Sequence, residues 1–486
     1  MITLKKLGFS LVVTAGLLSA CSSPAEQADK GGGEGSGAAP VFADVSVHDP
    51  SVIKVKDTYY VFGSHLASAK SKDLMSWTQI SDGVADGNPL IPNVTTELSE
   101  TLGWAQSDTL WAPDVIQLAD GKFYMYYNAC RGDSPLSAMG IAVADNIEGP
   151  YKNKGIILKS GMDGVSDDGT VYNANEQPNV VDPDVLFDKN GELWMVYGSY
   201  SGGIFVLKLD PETGKPLKSQ GYGKKVLGGY HARIEGSYML YSPETDYYYL
   251  FLSFGGLTAD GGYNIRVARS KSPDGPFTDA QGQDMINAQG TPGVLFDDPA
   301  YAPYGVKLMG NFEFQPADGE TGMSSEGYVS PGHNSAYYDE DTGKYYLIFH
   351  TRFPGRGEEH EVRVHQMFMN DKGWPVVAPH RYAGETIGDY TEEDAAGSYT
   401  MINHGKVISA ETVESEIIEL KKDGTVTGAV SGTWSLKDGH NAVITIDGTK
   451  YDGVFLRQWD EGTQSHVMTF TVQSEEGVSI WGSHVK

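Results

Sequence analysis

The sequence predicts an all-β protein, a five-bladed β-propeller followed by a small antiparallel β-barrel. Three observations carry this. The 486 residues include 60 Gly, 23 Pro and 28 Tyr, a profile that suits tight turns and strands better than helices. One layout, a polar lead-in followed by a hairpin, recurs five times before residue 350. From residue 384 that repeat stops and short alternating strands joined by Asp-Gly turns take over. A chain this long also exceeds one ordinary core, which agrees with two folding units.

Residues 1–20 read as an export signal. "MITLKKLGFSLVVTAGLLSACSS" sets Lys5 and Lys6 before an apolar run too short to span a bilayer as a stable helix. Its end, Leu18-Ser19-Ala20-Cys21, resembles a bacterial lipobox, in which the cysteine thiol takes a diacylglyceryl group and becomes the new N-terminus. The expectation is a protein lipid-anchored through Cys21 to a bacterial membrane, the outer one where the envelope has one. Cys130 is the only other cysteine, so no disulfide between structural cysteines is available. It reads as a small buried apolar residue. Residues 21–42 are polar and glycine-rich, a flexible tether. At about 5–6 Å × √n, it holds the folded part roughly 25 Å from the lipid.

Charge narrows the partner. Lys and Arg total 36 against 64 Asp and Glu, a net charge of -28, which repels nucleic acid and other polyanions and favours a neutral partner. Most of that charge also reads simply as a soluble surface.

The five repeats are "HDPSVIKVKDTYYVFGS", "WAPDVIQLADGKFYMYYNA", "VDPDVLFDKNGELWMVYGS", "IEGSYMLYSPETDYYYLFLS" and "HNSAYYDEDTGKYYLIFH". Each has a turn of Asp, Asn or Gly before a strand dense in Tyr, Phe, Trp and Val, the pattern of an antiparallel hairpin. Taking Tyr59, Tyr124, Trp194, Tyr248 and Tyr346 as equivalent gives intervals of 54 to 98 residues, enough for about four strands per blade plus loops. A sandwich of unrelated hairpins would not need five similar lead-ins. Residues 43–383 are therefore assigned to the propeller and 384–486 to the barrel, with hairpins at Asp423-Gly424, Asp438-Gly439 and Asp447-Gly448. The barrel shows no cluster of candidate catalytic groups. A structural role is expected for it, with sugar binding left open.

The lead-ins supply the candidate chemistry. Asp49, the stretch Trp111 to Asp114, Asp182, Glu235 and His333 hold the same place relative to their hairpins. Equivalent positions of a propeller lie at one end of its axis, so Asp49, Asp182 and Glu235 are expected to converge. Cutting a glycosidic bond needs one protonated carboxyl and one ionised carboxylate, and a third carboxylate beside the acid helps keep it protonated. One Asp-Pro or Glu-Gly alone would read as a turn or strand cap. Trp104, Trp111, Asn179, Ser199, Tyr200 and Phe254 are cleft candidates, since sugars stack on aromatics and bond to polar groups. Each fits packing as well as binding.

These residues also carry a family resemblance. "HDPSV", "VDPDVLF", "RIEGSYM" and "PGHNSAYY" resemble the signatures of glycoside hydrolase family 43, whose fold is a five-bladed propeller, over most of residues 44 to 382. Within that family, "WAPDV", "HARIEGSYMLYSPETDYYYLFLSFGGLTADGGYNIRVARSKSPDGPF" and the histidine of "PGHNS" are similar to the endo-α-1,5-L-arabinanases, and the C-terminal barrel resembles that of the longer ones. The resemblance implies Asp49 as general base, Glu235 as general acid, Asp182 as the group that raises and orients the acid, and inversion at the anomeric centre. Inversion predicts a base-to-acid gap of about 6.5–9.5 Å. The implied partners are neutral arabinan and its oligosaccharides.

His333 has three readings: a hydrogen-bonded channel histidine, a catalytic auxiliary, or the only protein ligand of an axial metal. A single imidazole is a poor calcium site, because Ca²⁺ prefers six to eight oxygens; calcium is implied by the resemblance alone, with sodium or water as the alternatives. An exo-acting β-xylosidase or α-L-arabinofuranosidase of the same family is the first rival. A non-catalytic sugar-binding propeller is the second, and retention of all three carboxylates argues against it. A protein-interaction scaffold has no sequence feature in its favour.

Overall fold

Five times the chain leaves a polar turn, runs along an inner strand and folds back three times. In this computed structural model residues 39–161, 171–296, 298–317, 320 and 325–486 are described. The export signal and Cys21 lie outside the described residues. Blade 1 consists of Ser51–Val55, Thr58–Gly63, Ala67–Ser71 and Trp77–Ser81. Blade 2 is Trp111–Gln117, Phe123–Cys130, Ser137–Ala144 and Lys152–Ser160. Blade 3 is Asp184–Phe187, Leu193–Tyr197, Ile204–Leu209 and Lys224–Leu227, and blade 4 is Ile234–Ser242, Tyr247–Phe254, Asn264–Ser270 and Val306–Met309. Blade 5 runs through Glu326–Asp339, Lys344–Arg352, His360–Met369 and Pro375–Val377. In each blade the four strands pair in chain order, and Tyr59, Tyr124, Trp194, Tyr248 and Tyr346 all fall near the start of the second strand.

Neighbouring blades are joined by burying the apolar side chains of facing sheets. Phe62 and Met125 share a core between blades 1 and 2, Tyr126 and Met195 between 2 and 3, Val196 and Leu250 between 3 and 4. Phe251 and Leu347 do the same for blades 4 and 5, and Ile348 and Val61 for blades 5 and 1. The ring therefore closes mainly through side chains, since each blade draws its four strands from one contiguous stretch. At the seam, Lys54 Nζ and the Tyr59 hydroxyl both bind Asp339, at 3.0 and 2.9 Å, and the Val362 N–H donates to the Val45 carbonyl at 2.9 Å. Phe42, assigned above to the tether, already lies against the Arg381 guanidinium. The folded body thus starts slightly earlier than composition suggested.

The C-terminal strands form a closed eight-stranded barrel from Gly397–Asn403 to Ser479–His484, with Tyr399, Phe455 and Phe470 inside. Asp438-Gly439 and Asp447-Gly448 have positive φ at both residues, the mirror-image turn that matches strand twist. The barrel is not hung on a linker. Its Ile402 and Trp481 are fully buried in the core shared by blades 4 and 5, where Trp481 meets Phe312 edge to face at 5.1 Å. After the first barrel strand the chain runs back over the propeller, and Val413–Glu414 pairs in parallel with Phe312–Phe314. Arg266 Nη2 donates to the Lys406 carbonyl at 2.6 Å, and Lys307 Nζ to the carbonyls of His404 and Val407 at 2.9 and 2.8 Å.

Because Trp481 fills a propeller core from the barrel, Trp481→Ala is expected to cost about 3–5 kcal/mol, read as a lowered urea midpoint. A change below about 1 kcal/mol would show that the two parts are stabilised independently.

Candidate active site

The lead-in residues reach the axis because the backbone there is forced out of regular strand geometry. Asp49, Asp182 and His333 have φ of 58°, 54° and 42°, in the left-handed region that Asp, Asn and His enter more readily than most residues. Glu235 is followed by Gly236 at φ 58°. A Cβ on Gly236 would come within 3.0 Å of the His333 ring, so this position needs glycine on two counts. Bulges after Trp111, Glu235 and Gly332 shift the ladder in blades 2, 4 and 5. Such bulges commonly re-aim side chains at functional sites.

Asp49 is buried and heavily partnered. Its Oδ2 accepts from Ser64 Oγ at 2.5 Å and lies 2.8 Å from His48 Nδ1, while Oδ1 lies 3.0 Å from His333 Nδ1. Burial alone would raise its pKa, but the imidazoles of His333 and His48 outweigh that and hold the carboxyl well below the usual range. His333 answers in kind. Burial opposes its charge, yet Asp49, Asp182 and Glu235 raise it to about 9. His350 stacks on His48 at 3.8 Å and accepts the Asp49 backbone N–H at Nδ1, 3.1 Å away. Burial keeps His350 neutral, with its pKa far below the ordinary value.

Glu235 and Asp182 are pushed the other way. Burial raises Glu235 against the opposing bonds from Ser199 Oγ, 2.7 Å from Oε2, and the Tyr263 hydroxyl, 3.0 Å from Oε1. Burial, then the charges of Glu235 and Asp49, lift Asp182 to about 7 although His333 pulls it down. Asp182 Oδ2 accepts the Gly236 N–H at 3.3 Å, which ties it to the residue after Glu235. One mouth of the channel therefore holds one carboxyl whose pKa is driven down and two whose pKa values are driven up. Groups coupled this tightly titrate as a set.

A second polar layer lies two residues further along these lead-ins: Ser51, Asp184, Ser237 and Ser335, joined by Asp114, all buried. Asp114 accepts from Ser51 Oγ of blade 1 and from the Val185 N–H of blade 3 at 2.9 Å. Asp184 accepts the Met239 N–H of blade 4 at 2.7 Å. These two carboxylates staple blades 1 to 4 beneath the mouth. Burial raises both, Asp114 to about 6.

Comparison with known proteins agrees with this arrangement. Residues 39–298 match the glycosyl hydrolases family 43, and residues 379–482 match the C-terminal lipocalin-like domain of such proteins. The chain belongs to glycosyl hydrolase family 43. It is 64% identical over 444 residues to the extracellular endo-α-(1→5)-L-arabinanase 2 of Bacillus subtilis strain 168, covering 91% of this chain and 94% of that protein. The crystal structure of the family 43 YxiA protein of Bacillus licheniformis superposes with a TM-score of 0.89 at 67% identity, covering 92% of this chain and all of that one. The endo-1,5-α-L-arabinanase of Thermotoga petrophila RKU-1 gives a TM-score of 0.88 at 53% identity over the same shares.

Within this family 43 site, the cleft residues named from the sequence divide. Ser199 is buried and serves Glu235. Tyr200, half-buried, donates its hydroxyl to the Gly255 carbonyl at 3.2 Å and faces Phe296, 6.2 Å between rings. Trp111 lines an open depression with Leu102, Gln106 and Thr109. Three others have scaffold contacts. Asn179 is buried, accepting from Ser137 Oγ at 2.6 Å and lying against Cys130. Trp104 donates to the carbonyls of Ser137 and Ser160, both at 3.0 Å, beneath the Lys159 ammonium. Phe254 is a correction. It is fully buried in the core between blades 3 and 4, with the Arg266 guanidinium 4.5 Å from its ring, and no sugar can reach it. Cys130 is buried as expected, and burial pushes its thiol up to about 12.

Sequence reasoning missed His48, His350 and Asp184 as members of this assembly, and placed Asp114 within a lead-in without a role. His48 and His350 stand at the ends of the first and fifth repeats, in "HDP" and "LIFH". The repeated Pro-Asp-Val of "WAPDV" and "VDPDV" marks Asp114 and Asp184.

Asp49 is a main support of the His333 charge. Asp49→Asn is expected to drop the His333 titration from about 9 toward or below its ordinary value, because burial is then less opposed. NMR titration of the imidazole checks this. An unchanged titration would contradict the pairing.

Proposed function

We propose that this chain is an endo-acting α-1,5-L-arabinanase that inverts the anomeric centre by single displacement. One observation carries the proposal: buried carboxyl groups from different blades stand together at one mouth with their pKa values shifted in opposite directions, Asp49 down and Glu235 up. That is what an acid and a base acting together require. The two similar arabinanases support the substrate. A neutral polysaccharide also suits a surface of net charge -28.

In this reading Asp49 takes a proton from the water that attacks the anomeric carbon, and Glu235 gives its proton to the departing sugar oxygen. Ser199 and Tyr263 hold Glu235 in place, and Asp182 shares the proton of the pair while its bond to Gly236 fixes the bulge. His333 Nδ1 faces Asp49, and Nε2 makes no hydrogen bond among the described residues. With its proton kept on Nδ1 toward Asp49 and Nε2 deprotonated, the imidazole would hold a cation as its one protein ligand, with water completing the shell. We assign calcium there, and its charge would favour the ionised form of nearby carboxylates. The names of the relatives support export, and Cys21 would anchor the enzyme to the envelope by lipid.

The test is a product time course on debranched arabinan with anomer detection. Oligomers before arabinose, and inverted configuration, are expected. Arabinose alone from the start would favour the exo-acting rival, and retained configuration would refute single displacement. Glu235→Gln is expected to lower kcat by about 10²–10⁴-fold, and unchanged hydrolysis would refute the assignment of the acid. Chelation is expected to lower the rate, with recovery on adding Ca²⁺. Indifference to both would remove the metal.

A further inference from the structure

Beside the catalytic mouth the propeller and the barrel share a cleft of about 710 Å³, within the range of ligand sites. Its propeller side carries Arg233, Phe296 and Tyr301, and its barrel side carries Lys406, Val407 and Ile408. Two elements tie its wall to residues of the catalytic centre. Arg233 lies two residues before Glu235. Tyr200, next to the Ser199 that binds Glu235, bonds Gly255 of the cleft wall and faces Phe296.

Both walls expose apolar surface that folding would normally bury. Phe296 is 42% and Val407 70% exposed. Phe296 also sits at φ 68°, a backbone value rare for a bulky residue and most often kept where function holds it. The barrel wall is built firmly. Arg266 and Lys307, both buried, bind carbonyls of residues 404, 406 and 407 and meet no carboxylate among the described residues. Asn311 Nδ2 fixes the Ala410 carbonyl at 2.9 Å. Bonds from three buried side chains thus fix the position of the wall.

We propose that this cleft is a distal subsite for the arabinan chain, formed jointly by the propeller and the barrel, so that the barrel takes part in holding long substrates. The inference rests on the arabinanase reading. Its chemistry suits a neutral furanosyl chain: Phe296, Val407 and Ile408 offer apolar surface to C–H faces, while Arg233, Asp260 and Lys406 offer hydrogen bonds to hydroxyls.

The test measures binding of arabinohexaose and arabinotriose by calorimetry to Glu235→Gln protein, alone and with Phe296→Ala or Val407→Asp added. Val407 is exposed, so its substitution leaves folding intact. Each added substitution is expected to weaken hexaose binding about tenfold and triose binding less than about twofold. Equal affinities with and without them, while Glu235→Gln protein still binds hexaose, would overturn the subsite and leave the arabinanase reading intact. If Glu235→Gln protein binds neither sugar, that reading itself fails and the subsite with it. If the parent protein runs as a dimer that Val407→Asp dissociates, with sugar binding unchanged, the subsite is overturned and the face belongs to a second copy of the chain.

Discussion

The contact between Asp49 and His333, 3.0 Å from carboxylate oxygen to ring nitrogen, joins the first blade of the propeller to the last. Closing the ring and assembling the site are thus one event. A buried carboxylate is expensive unless partnered; Asp49 has Ser64 and His48 close by in sequence, but its Oδ1 meets His333 only when a blade nearly three hundred positions away arrives. His350 of the same distant blade receives its backbone N–H. The opposed shifts at the mouth follow, because both oxygens of Asp49 meet an imidazole, whereas His333 only partly offsets burial at Asp182 and Glu235.

Beneath the mouth, Asp114 and Asp184 do for the blades what the apolar layers do further out. Each carboxylate reaches from one inner strand to the backbone of the next blade. The catalytic side chains therefore stand on a base that cannot easily spread. The barrel acts from outside in a similar sense. Trp481 completes the core of blades 4 and 5, and the segment after Asn403 lies against the loops that flank Glu235. A domain that reads in sequence as an appendage is in the structure a buttress.

Much of this was legible in the residues. Hairpins announce themselves through turn chemistry and aromatic strands, so blade number, blade order and the barrel turns could be read locally. The convergence of Asp49, Asp182 and Glu235 also followed, because a repeat turns equal offsets into equal heights. What escaped was whatever depends on neighbours distant in sequence. Phe254 looks like any aromatic near a cleft, and only the Arg266 guanidinium and the adjoining blade bury it. Asn179 and Trp104 were attractive polar and aromatic groups until their hydrogen bonds to blade 2 were visible. His48 and His350 were in plain view within the repeats, but nothing local marks a histidine as the partner of a carboxylate from another blade.

The central claim is the opposed protonation of two carboxyl groups in one mouth. Neutron diffraction from crystals near neutral pH observes it directly. A bare Asp49 carboxylate, with a deuteron on His333 Nδ1 and another on the Glu235–Asp182 pair, is the expected result. A deuteron on Asp49, with Glu235 and Asp182 both ionised, would contradict the account.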